Sequence, residues 1–249
     1  MNKILVSKNE ITSENDNIFV DDNNIIFKSD GEYFIEYTSS GNYKINYIVN
    51  GNIKLFESSF DNEINCHNKY IIDGGSLSVI KFYSNNNVNE VLDIDLCKDK
   101  DRIDYTFVNI CLKEERYTIN INHKCKNTYS NISNKSIAFK NSLINFIINS
   151  NVYKDSSKCV LNQNTRIVTM GECDTKVSPN MFIDLDDVEA RHGSVIGSFK
   201  EDQVFYLMSK GISYNDTIKL LVSGYIISSV GRDHYLRNKI MDTIDMYWR

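Results

Sequence analysis

From about residue 17 to residue 190 the chain is a succession of short β-type runs, each cut off by Asn, Asp, Gly or Ser. Such runs occupy 18–20, 33–37, 43–48, 76–82, 105–110 and 117–122, and a second set lies at 136–139, 143–148, 165–169 and 181–185. Many alternate apolar and polar residues, the period of a strand with one buried face. Turn residues recur about every 8–12 positions. That spacing suits a sandwich, a barrel or a solenoid of stacked coils, and propensity alone does not choose among them. Asn at the turns leans towards stacked coils, because it tolerates left-handed backbone and its amide can bond to a neighbouring coil. No fixed repeat period is visible.

Composition agrees. The 249 residues include 32 Asn and 32 Ile against 13 Leu, 2 Ala and 1 Pro, a mix poor in helix formers and rich in β-branched side chains. A net charge of -5 without any Lys/Arg-rich block argues against a nucleic-acid protein. Ile4-Leu5-Val6 is too short for a signal-peptide core, and no run is long enough for a membrane span, so a cytoplasmic chain is expected. Cys66, Cys97, Cys111, Cys125, Cys159 and Cys173 form no CxxC pair and read as free thiols.

After residue 197 the texture becomes helical. Ser198-Phe199-Lys200-Glu201 has the form of a capping box and Gly211 of a helix stop, while Ser213-Tyr214-Asn215-Asp216 starts a second helix. That helix places Ile218, Leu221, Val222, Tyr225 and Ile226 on one face, with Gly231 as its end. Residues 232–248 are expected to form a third, amphipathic helix.

Common catalytic motifs are absent: there is no GxxxxGK[ST] loop, GxGxxG, HExxH or GxSxG. His123-Lys124-Cys125 puts an imidazole and a thiol on one side of a strand, but two ligands do not make a site, and the reading here is a surface His beside a buried Cys. Cys66 and His67 face opposite ways. Cys97 and Cys111 lie in apolar runs and are expected in the core.

The most informative stretch runs Asp187-Val188-Glu189-Ala190-Arg191-His192-Gly193-Ser194-Val195-Ile196-Gly197, then EDQVFYLMSKGI over 201–212, then Lys219-Leu220-Leu221-Val222-Ser223-Gly224-Tyr225. Over residues 174–227 it resembles the C-terminal core of the SufB/SufD family, the scaffold subunits of the Suf iron–sulfur cluster assembly system. In that family a strand ending in DDV is followed by a His-Gly or His-Glu pair, then E-(E/D)-x-x-FYLxSRG(I/L), then a helix of the xxLLxxGF kind. His192-Gly193 looks like SufD, and Glu201 to Tyr206 looks more like SufB. The SufB cluster-building cysteine falls on Asn164 and its glutamate on Gly193, whereas Cys173 and Pro179 fall where SufB also has a Cys and a Pro.

The resemblance implies a mainly β chain, a right-handed parallel β-helix over residues 1–190 with a C-terminal helical unit over 191–249. It implies His192 and Cys173 as cluster or iron-binding candidates, with His192 as the metal ligand. Phe205, Tyr206, Ile218, Leu221 and Tyr225 become candidates for docking a SufC-like ABC ATPase. The implied partners are that ATPase and a SufB/SufD-like subunit or a second copy of the chain, with neither nucleic acid nor membrane. A non-enzymatic scaffold handling a transient iron–sulfur cluster, and binding no nucleotide itself, is the expected function. The alternatives are a purely structural subunit without cluster ligands, and a β-helix enzyme acting on polysaccharide through Asp184, Asp186 and Asp187.

Overall fold

The structure is a computed structural model that describes residues 2–8, 10–13, 16–230 and 234–248. The first strands are short: β1 (Asn2–Val6), β2 (Ile11–Ser13), β3 (Ile18–Asp21), β4 (Asn24–Phe27), β5 (Gly31–Tyr37), β6 (Gly41–Tyr43) and β7 (Asn46–Val49). Longer ones follow: β8 (Asn52–Phe60), β9 (Glu63–Ile72), β10 (Ser76–Ser84), β11 (Asn87–Leu96), β12 (Arg102–Cys111), β13 (Glu114–His123), β14 (Tyr129–Phe139), β15 (Leu143–Val152), β16 (Cys159–Met170), β17 (Asp174–Ile183) and β18 (Val188–Gly197). The chain closes with α1 (Glu201–Ser209), α2 (Tyr214–Ile227) and α3 (His234–Tyr247).

Of the three β architectures that the turn spacing allows, the chain adopts the solenoid. From β8 onward even-numbered strands stack in one sheet and odd-numbered strands in the other, and from β9 onward each is parallel to the strand two places earlier. The result is a β-solenoid of about 7 turns with three C-terminal helices, a mainly β fold. Ser76 lies beside Asn52, Arg102 beside Ser76, Tyr129 beside Arg102 and Val160 beside Tyr129, which are steps of 24, 26, 27 and 31 residues. Uneven coils hide the repeat from the sequence, and the surplus residues are taken up at the corners. Asp61, Lys100, Asn127, Asn141 and Lys158 turn those corners in left-handed backbone. Only two of these are Asn, so most of the Asn excess serves elsewhere.

It serves on the strands. Outside the odd-numbered sheet, the Asn120 amide nitrogen donates to Asp93 (2.8 Å), Asn149 to Asn120 (2.8 Å) and Asn180 to Asn149 (2.9 Å). A parallel row runs from Asn151 to Asn122 (3.0 Å) and from Asn122 to Asp95 (2.8 Å). Parallel in-register stacking brings like side chains about 4.8 Å apart. Each amide can therefore be donor to one coil and acceptor for the next.

The interior is filled by inward residues of both sheets, including the fully buried Tyr37, Tyr47, Tyr70, Tyr83, Tyr105 and Tyr117. Within it lies an ionic cluster. Lys81 is buried against Glu57 (2.9 Å) and Glu90, and Glu57 also accepts from Tyr70 (2.8 Å) and Tyr83 (2.7 Å). The two carboxylates hold the Lys81 ammonium charged against the cost of its burial.

The helices cover the outer face of the even-numbered sheet, not the end of the solenoid. Ile218, Val222 and Ile226 of α2 and Leu236, Ile240 and Ile244 of α3 share one buried cluster with Phe56, Phe82, Val108, Ile137 and Val168. The Ser213 hydroxyl accepts from the Asp216 amide and caps α2 as expected (3.1 Å). Gly211, in left-handed backbone, follows the C-cap of α1. The capping box expected at Ser198 does not form: the N-cap of α1 is Lys200, without a side-chain cap. Helix α2 ends at Ile227, and Gly231 lies outside the described residues. Residues 188–197 are all strand, so a boundary at 190 cuts through β18 and the solenoid runs on to Gly197.

Candidate functional site at the open end of the solenoid

The last coil consists of β17 and β18, and nothing stacks on it among the described residues. Every residue from Glu189 to Ile196 of β18 is exposed. Asp186 and Asp187 form the turn before this strand, so the DDV segment starts a strand instead of ending one, and His192-Gly193 sits mid-strand and not at a corner. His192 lies beside Gln163 of β16, whose side chain is buried, so the imidazole projects towards the inside of the last coil and is exposed only because no further coil covers it. Asp184 is likewise exposed in this turn region.

Backbone bonding alternates along a parallel strand, and the Val160 amide bonds back to Thr128. The odd-numbered residues of β18 therefore bond to β16. Val188, Ala190, His192, Ser194 and Ile196 turn their N–H and C=O groups to the open edge. By the same alternation the Asp174 amide bonds back to Ser142, and Pro179 falls at an outward position of β17, the one kind of strand site where its missing N–H is harmless.

Cys173 is not beside His192. It lies at the turn into β17, with its thiol against the Ala138 and Phe139 carbonyls (3.3 and 3.2 Å). His192 is level with Gln163, about seven strand residues or ~20 Å from the end of β16. Among the described residues no three His, Cys, Asp or Glu side chains converge as a metal site. His123 and Cys125 reverse their expected places. His123 is buried between Thr128 (2.7 Å) and Ser130 (2.9 Å), and burial lowers its pKa to about 4, while Cys125 is half-buried. Cys111 is in the core as expected, whereas Cys97 is half-exposed.

The candidate docking residues divide. Phe205 is 75% exposed and Tyr206 61%, on a helix with no buried residue. Together with Met170, Phe199, Met208 and Tyr214, Phe205 lines a groove of about 530 Å³. Ile218 is buried under α2, Leu221 is half-buried, and Tyr225 lies half-buried with its hydroxyl donating to the Arg166 carbonyl (2.9 Å). Asn amides bond between coils as expected, but on the strands and not at the turns. The buried Lys81 cluster was not foreseen, although Lys81 stands at an inward position of the run Leu77-Ser78-Val79-Ile80-Lys81-Phe82-Tyr83, a signal that alternation could have supplied.

A parallel β-solenoid with a helical strap across one of its sheets defines the fold class of this chain. The chain belongs to the SufBD family: residues 51–225 match the family described as SUF system FeS cluster assembly, SufBD core domain. It is 30% identical over 115 residues to the iron-sulfur cluster assembly protein SufD of Escherichia coli (strain K12), covering 45% of this chain and 26% of that protein. To SufD of Bacillus subtilis (strain 168) it is 27% identical over 112 residues, 39% of this chain and 26% of the relative. An iron-sulfur cluster assembly SufBD family protein of Archaeoglobus fulgidus is 35% identical over 69 residues, 27% of this chain and 19% of that one. Each match thus spans about a quarter or less of the relative's length. Family membership supports a role in iron–sulfur cluster assembly. No helix among the described residues is long and apolar enough to cross a membrane.

Proposed function

We propose that this chain is a non-enzymatic scaffold or partner subunit of a Suf-type iron–sulfur cluster assembly complex. It pairs through its open last coil with a like subunit, either a SufB/SufD-like chain or a second copy of itself. It receives a SufC-like ABC ATPase on α1, where Phe205 and Tyr206 stand exposed. The nascent cluster is its cargo, and ATP hydrolysis belongs to the partner. The observation that carries this reading is β18, a ten-residue edge strand with outward N–H and C=O groups and an imidazole at its centre. Imidazole suits iron. With Cys173 remote, further ligands for a cluster at His192 come from the partner.

A second reading, a structural subunit without cluster ligands, draws support from Asn164 at the family's cysteine position and from the separation of His192 and Cys173. Anaerobic co-expression with the ATPase, co-purification, and reconstitution with iron and sulfide separate the two. A coloured complex that loses its charge-transfer absorbance in His192→Ala, with circular dichroism unchanged, is the expected result. A colourless complex selects the structural subunit, and failure to form any complex refutes both.

A further inference from the structure

On the outer face of the even-numbered sheet, Lys135 of β14 and Arg166 of β16 stand directly side by side in the ladder. Adjacent backbones are about 4.8 Å apart, and like charges facing each other across strands repel. Among the described residues neither side chain enters an ion pair or a hydrogen bond. Both face the ring of Tyr225, 5.7 Å from the Lys135 ammonium and 5.4 Å from the Arg166 guanidinium. That ring is fixed at two points, by its hydroxyl on the Arg166 carbonyl and by Phe199 packed edge-on at 6.3 Å. Burial and the Arg166 charge hold the Lys135 pKa below its ordinary value, as befits a cation short of counter-charge.

Two residues earlier on the same strands, about 6.6 Å away, Ser133 and Asn164 lie side by side on the same face, and neither side chain makes a hydrogen bond. The next position in their row is Gly193, where a Cβ would meet nothing closer than the Asn164 amide oxygen at 3.9 Å, so the space beside Asn164 is open. The four side chains offer ammonium, guanidinium, hydroxyl and amide N–H donors, with no thiolate, imidazole or carboxylate among them. Such a set receives anionic oxygen, and the planar fork of Arg matches phosphate or carboxylate in two bonds.

We propose that Lys135, Arg166, Ser133 and Asn164 form a binding site for an oxyanion, a phosphate or a carboxylate, on the outer face of the sheet beside α2. The site stands on this chain alone and does not depend on the cluster-assembly reading. In the full chain it is tested by acetylating lysines with acetic anhydride near pH 8 and locating them by mass spectrometry, with inorganic phosphate or succinate titrated against chloride of equal ionic strength. Either anion should protect Lys135 in a saturable way while the exposed Lys140 is unprotected. In Arg166→Met, which keeps the packing stem, the protecting concentration should rise about tenfold. In Asn164→Ala, at an exposed position, it should rise several-fold. Protection by phosphate alone assigns a phosphate site, by succinate alone a carboxylate site, and by both a general oxyanion site. No protection by either anion, or equal protection in Arg166→Met and Asn164→Ala, overturns the proposal.

Discussion

Glu115 shows how a single side chain in this interior can dominate the response to pH. It is fully buried on β13, accepts from Tyr117 (2.9 Å) and from Asn109, and leaves its other oxygen without a partner. Burial raises its pKa from 4.5 to about 8. Between those values the folded chain keeps a proton that the unfolded chain has released, so this group makes stability fall as pH rises from about 4.5 to 8 and level off above. Glu115→Gln keeps the shape and removes the titration. Urea melts at pH 5 and pH 8.5 should then lose a downward trend worth on the order of 4 kcal/mol; an unaltered trend would mean that Glu115 is ionised in the fold. At this scale the sequence was partly legible. Strand alternation set Cys66 and His67 on opposite faces, and the first is buried and the second exposed. It failed at His123, because a histidine at a strand end gives no sign that Thr128 and Ser130 wait across the corner to accept and donate.

Among the elements, the amide rows carry a direction. Asp93 can only accept, so Asn120 must donate to it, Asn149 to Asn120, and Asn180 to Asn149. An acceptor inserted in the middle has no orientation that satisfies both neighbours. Asn149→Asp should therefore cost about 1–3 kcal/mol at pH 7, read as a lower urea midpoint, and recover much of it at pH 3 relative to wild type, where the new carboxyl can donate. Equal losses at both pH values would count against a directional row. The strands themselves were readable where alternation is clean, as in β10 and β15, and unreadable where it is not. The run at 43–48 breaks into β6 and β7 at Lys44 and Ile45, and the run at 181–185 stops at Ile183. Strand β18 was missed as a strand because both of its faces are exposed, which leaves no apolar rhythm to detect.

For the whole molecule, the stacking of coils could not be derived from spacing, because ladder partners lie 22 residues apart between β4 and β7 and 31 apart between β14 and β16. The family motif named the fold and located His192, but the distance from His192 to Cys173 depends on the length of β16 and its corner, which no local pattern encodes. The proposed pairing through β18 has a sharp test at this scale. The Ser194 amide points to the open edge and is not needed within the chain. Ser194→Pro should leave circular dichroism and the melting curve nearly unchanged, yet shift the mass by light scattering from that of a paired species to that of the lone chain. A mass unaffected by the change would place the contact elsewhere.

The strap of helices also bears on how the molecule comes apart. A bare stack of coils touches only its neighbours and can fray from either end one layer at a time. Here α2 and α3 lie across five layers at once, joining Phe56 near one end to Val168 near the other in a single apolar seam. The last coil contributes no strand residue to the seam and can fray by itself, but lifting the seam loosens every layer beneath it. The strap thus converts a zipper into a latch, and unfolding of the layers from β8 to β16 becomes one concerted event.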